Sequence, residues 1–77
     1  MNLLTIQIVA DAHTTTSRHR GYADEAIRAA VRKRFGRTAT FNETMEPLHF
    51  LNGTSWYHGK VERKRGEPTR IRIEVVP

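Results

Sequence analysis

Cysteine is absent from this chain of 77 residues, so neither a disulfide framework nor a cysteine-based zinc finger can hold it together. Long apolar runs are absent too. The stretch Met1 to Ala10 has no positively charged leader, and Thr5 and Gln7 interrupt its apolar residues. Nothing approaches the roughly 18 apolar residues of a membrane-spanning helix. These absences point to a soluble protein of the cytoplasm, with no membrane partner. Acidic residues are also in short supply: 8 Asp and Glu stand against 13 Lys and Arg, a formal net charge of +5. A chain of this length supports one domain, spanning residues 1–77, with a modest core.

The cations are grouped. Arg18 to Arg37 holds seven against Asp24 and Glu25, and Lys60 to Arg72 holds six against Glu62 and Glu67. Between the two blocks lie Glu43 and Glu46 with no Lys or Arg. Arginine outnumbers lysine, which favours bidentate contact with phosphate or carboxylate. The polarity calls for an anionic partner: nucleic acid, a nucleoprotein or an acidic protein face.

Residues 3–10 place Leu4, Ile6 and Ile8 against Thr5, Gln7 and Val9 with period two, which predicts a strand with one buried face. Asp11 to Gly21 is polar and is expected to be a long, mobile connection. From Tyr22 to Phe35, Ala23, Ala26, Ile27, Ala30, Val31 and Phe35 recur at three- and four-residue spacing, the stripe of an amphipathic helix. Gly21 is the expected N-cap and Gly36 the stop. Thr38 to Thr44 has β propensity, broken by Met45-Glu46-Pro47. Asn52-Gly53 between Leu48–Leu51 and Thr54–Tyr57 is a strong hairpin signal. A second turn, Gly66-Glu67-Pro68, separates Lys60–Arg65 from Thr69–Val76, where Ile71, Ile73 and Val75 alternate with Arg70, Arg72 and Glu74. The expected fold is α+β: β-α, then three or four strands, one helix on a four- or five-stranded antiparallel sheet.

Candidate chemistry is sparse. His13 and His19 are six residues apart, and His49 and His58 face each other across the predicted Asn-Gly hairpin, but no set reaches the three or four matched ligands of a zinc site. Ser17 and Ser55 lack a nucleophile elbow. The expectation is a protein without catalytic residues, metal or cofactor. Binding is the stronger reading. Trp56 and Tyr57, adjacent in a strand, point to opposite faces, so one ring is expected to be buried and the other to serve as an interface anchor. The expected binding residues are Arg28, Arg32 and Lys33 on the helix, Arg63, Arg65, Arg70 and Arg72 in the last hairpin, and Trp56 or Tyr57.

Asp24 to Arg37, with Trp56-Tyr57-His58-Gly59-Lys60-Val61 and Thr69 to Val75, resembles small accessory proteins of bacteriophages and prophages, among them the anti-CRISPR inhibitors. The resemblance implies a stoichiometric, non-catalytic blocker of a host protein or nucleoprotein complex, acting through its arginine-rich surface by competition with nucleic acid. The alternative reading from the residues is a module that binds DNA or RNA directly, and a small enzyme or ligand carrier is the third.

Overall fold

The computed structural model describes residues 3–43, 50–51 and 53–77, with the backbone alone at 50 and 51. The elements run β1 (Leu3–Ala10), β2 (His13–Arg20), α1 (Ala23–Phe35), β3 (Thr40–Glu43), β4 (Phe50–Leu51), β5 (Thr54–Glu62) and β6 (Thr69–Val76). The strands form one antiparallel sheet in the order β2-β1-β6-β5-β3, and β4 lies beside β3 on the same edge of β5. The helix packs on one face, so the α+β class expected from the periodicities is the class observed.

The period-two pattern of the central strands decides which face the helix covers. Ile6 and Ile8 of β1 register with Val75 and Ile73 of β6, and all of these, with Leu4, Ala10, Ile71 and Val61, are buried. Ala26, Ile27, Ala30 and Val31 of α1 close over them. The two alanines keep the stripe low, so helix and sheet approach closely. Ile6, Ile8 and Ile73 are at most 1% exposed, and burying each such side chain contributes about 1.5–3 kcal/mol. Gly36 ends the helix as expected, its N–H donating to Arg32 O at 2.9 Å. The N-cap is Tyr22 rather than Gly21, and no side chain caps it. Ala26 N–H closes the first turn on Tyr22 O.

The largest departure from expectation is Asp11 to Gly21. Residues 13–20 are not a connection but a full strand, β2, paired with β1 from Ala10·His13 to Leu3·Arg20. An edge strand has one sheet neighbour, and α1 covers only part of this one. It therefore needs no apolar alternation, and the β-branched Thr14, Thr15 and Thr16 suit its extended backbone. The turn is Asp11-Ala12, both in the left-handed region (φ 50° and 64°). That is the two-residue turn whose twist matches a hairpin.

The strand expected in two pieces, 54–57 and 60–65, is one strand from Thr54 to Glu62, shared by two hairpins. In the first, Leu51 registers with Thr54 and Gly53 stands between them at φ 81°, while Asn52 lies outside the described residues. Continuity through residue 59 depends on glycine. A Cβ there would collide with Asn42 O and sit about 2.5 Å from Phe41 Cε1, because the edge of the Phe41 ring that carries Cε1 and Cζ occupies that space. Met45-Glu46-Pro47 falls outside the described residues.

Candidate functional site

The face of the sheet that α1 does not cover is assembled by strand parity. On β6 the core set alternates with Arg70, Arg72, Glu74 and Val76. Register then brings Lys60 opposite Arg70, His58 opposite Arg72 and Trp56 opposite Glu74. On the other side of β6, Gln7 faces Glu74 and Val9 faces Arg72. Thr14, Thr16, Arg18 and Arg20 of β2 complete the surface beside Val9, Gln7, Thr5 and Leu3. Among the described strand residues this open face carries five cations (Arg18, Arg20, Lys60, Arg70, Arg72) against two carboxylates, Glu62 and Glu74.

Lys60, Arg70, Arg72 and His58 occupy the corners of a quadrilateral of about 5 by 7 Å at the backbone, from the spacings of paired strands and of alternate residues. Lys60 directly opposite Arg70 is a like-charge pair, which costs a sheet stability. No ion pair between described residues relieves Lys60 or Arg70; the Arg28–Asp24 pair, at 3.3 Å, lies on the helix.

Parity also separates the two rings. Trp56 is half-buried on the open face beside the cations. Tyr57 registers with Ile73 and packs against the core on the helix side. Tyr57 there lines a shallow depression of about 220 Å³ with Asp24, Ile27, Arg28, Phe41 and Glu43. That is smaller than most ligand sites.

Tyr57 apart, the expected binding residues divide into three groups. Arg70, Arg72 and Trp56 share the open face. Arg28, Arg32 and Lys33 lie exposed on α1, on the opposite side of the molecule. Arg63 and Arg65 belong to the β5–β6 turn, and Arg63 is tied down there: it donates to Thr69 Oγ1 at 2.7 Å and to Glu67 O at 3.3 Å, over the Phe35 ring at 5.7 Å. Arg65 is exposed. The helical and sheet cations form two surfaces, not one.

Arg34 has a role that no spacing rule reveals. Half-buried at the end of α1, it donates to Ile8 O at 2.7 Å and, at 3.2 Å each, to Thr15 Oγ1, Ala10 O and His13 O. It also lies 5.2 Å from the Phe35 ring centre. One guanidinium thereby fastens the β1–β2 hairpin to the helix.

His13 and His19 both sit on the helix side of β2, about 20 Å apart by strand rise, and His49 lies outside the described residues. Among the described residues no three of His, Asp and Glu gather as metal ligands would. His19 Nε2 and Ser17 Oγ share a hydrogen bond of 2.8 Å. Partial burial and, secondarily, the nearby Lys33 charge hold the His19 pKa below its ordinary value of 6.5. The charged neighbour is thus a cation rather than the carboxylate that orients a catalytic imidazole. No described helix is long and apolar enough to cross a membrane. No protein-family model matches the chain, and no curated protein or solved structure matches it.

Proposed function

We propose that this protein is a non-catalytic binding protein whose open sheet face holds single-stranded nucleic acid. The observation that carries the reading is the like-charge pair Lys60·Arg70, with Arg72 beside it and Trp56 on the same face. Such an arrangement costs the isolated sheet stability and is relieved by an anion. Phosphates would lie over Arg70, Arg72 and Lys60, and a base would stack on Trp56, a contact worth about 1–3 kcal/mol and tolerant of sequence. Arg18 and Arg20, two strands away, extend the path. A flat, twisted platform suits a single strand with splayed bases better than a duplex, whose grooves admit a helix or a ribbon.

A titration of a labelled single-stranded oligonucleotide at increasing salt tests this reading. Three to five phosphate contacts predict a log–log slope of about −2 to −3.5. Arg70→Glu with Arg72→Glu should abolish binding, whereas Arg28→Glu with Arg32→Glu should leave it within about twofold. No complex at low salt, or equal losses from both pairs, rejects the open face as the site.

A stoichiometric inhibitor of a host nucleoprotein complex, of the anti-CRISPR kind, is the second reading. It is favoured by the separate cationic row Arg28, Arg32 and Lys33, which the sheet platform leaves unused. Such a blocker would be recovered with a protein complex from host lysate and would not shift bare oligonucleotide.

A further inference from the structure

The sheet has unequal edges. Along β5 the outer side is taken by β3 and β4. Along β2, among the described residues, no strand pairs with the outer side. That edge is eight residues long and lightly guarded: no proline, no lysine and no acid lie within His13–Arg20, the register with β1 is unbroken, and its full charges are Arg18 and Arg20 alone. The two-residue turn closes on Ala10·His13, and in such a hairpin that pair exchanges both backbone bonds. Alternation then directs the N–H and C=O of Thr14, Thr16, Arg18 and Arg20 away from β1, toward solvent. The edge is also held still, because Arg34 bonds Ile8 O, Ala10 O, His13 O and Thr15 Oγ1. A template already ordered binds at a lower entropic cost.

Charge says what the template suits. A strand laid along β2 has Arg18 and Arg20 beside it on the open face. On the helix face it has His13 and His19, with Lys33 near His19. No carboxylate lies on β2. A second copy would bring the same cations and a further charge of +5 to the contact. We propose that β2 is a docking edge for an extended acidic peptide, which adds a strand to the sheet and sets its carboxylates against Arg18 and Arg20.

The test is hydrogen exchange and titration of the full chain with a peptide of the length of β2, alternating glutamate and threonine. The Thr14, Thr16, Arg18 and Arg20 amides should slow on binding, while Thr15 and Ser17, already bonded to β1, change little. Thr16→Pro removes one outward donor without touching the β1 ladder and should weaken the peptide about tenfold or more. Arg18→Glu with Arg20→Glu, both exposed, should reverse the preference toward a lysine–threonine peptide. The proposal is overturned if the outward amides are unaffected or if Thr16→Pro binds equally well. It also fails if the lysine peptide binds the native chain as tightly as the glutamate one. A free chain that is already a dimer with those four amides protected would give the edge to a second copy instead.

Discussion

Replacing Arg34 with alanine should cost this domain more than replacing any other of its arginines. The guanidinium makes four hydrogen bonds, to Ile8 O, Thr15 Oγ1, Ala10 O and His13 O, and the first is short at 2.7 Å. A hydrogen bond to a charged group is worth about 1.5–3 kcal/mol, but four of them do not sum here. The three carbonyls belong to residues of the β1–β2 ladder and keep backbone partners when the side chain is gone, and the site is only half-buried. Counting the short bond in full and the others as small increments gives about 2–3 kcal/mol. The stack on Phe35 adds about 0.5–1 kcal/mol. In a domain of this size 1 kcal/mol moves Tm by roughly 4–8 °C, so Arg34→Ala should lower Tm by at least about 10 °C. Arg34→Lys keeps the charge but loses the planar fork, and should recover less than half of the loss. Arg37→Ala, exposed just past the helix, should stay within about 0.5 kcal/mol of the parent. Thermal and urea unfolding of the three variants decide it. An Arg34→Ala loss no larger than that of Arg37→Ala would refute the view that this side chain ties the hairpin to the helix.

Three more outcomes follow from particular positions. Gly59→Ala should destabilise by about 2 kcal/mol or more, because the new methyl meets Asn42 O and the Phe41 ring; urea unfolding reads it, and a neutral result would mean Phe41 does not lie against residue 59. Ala12→Gly should stabilise by about 1 kcal/mol, since Ala12 sits at φ 64° where a Cβ is penalised; an unchanged urea midpoint contradicts the turn geometry. The His19 pKa is lowered in the fold, so the unfolded chain takes up its proton first as pH falls below about 6.5, and stability should decline there down to the folded pKa. Unfolding across that range should be flatter in His19→Gln than in the parent, and identical profiles would show that His19 contributes nothing.

The helix was legible because Ala26, Ile27, Ala30 and Val31 repeat at its own period and Gly36 marks its end. The last strand was legible because Ile71, Ile73 and Val75 alternate with charge, and Gly66-Glu67-Pro68 announced the turn before it. The strand β2 was not, since an edge strand with one neighbour can be polar on both faces, leaving no periodicity to read. Its faint signals were the run of threonines and its equal length with β1 around two residues. The parity of Trp56 and Tyr57 implied opposite faces, but which face the helix covers depends on the register with β6. Arg70 and Arg72 were placed together from sequence and are together. Their separation from Arg28 and Arg32 follows from the layer order, which only the packed helix reveals. Arg34 escaped because its partners are carbonyls 21 to 26 residues away, and any side chain can be opposite a carbonyl.

The chain has a single tryptophan, and it stands on the open face, so its intrinsic fluorescence reports on that surface. Addition of a single-stranded oligonucleotide at low salt should quench Trp56 saturably. The quenching should reverse with added salt and vanish in the Arg70→Glu/Arg72→Glu variant. Emission unchanged by the oligonucleotide, or quenched equally in that variant, would contradict the assignment of the open sheet face as the binding surface.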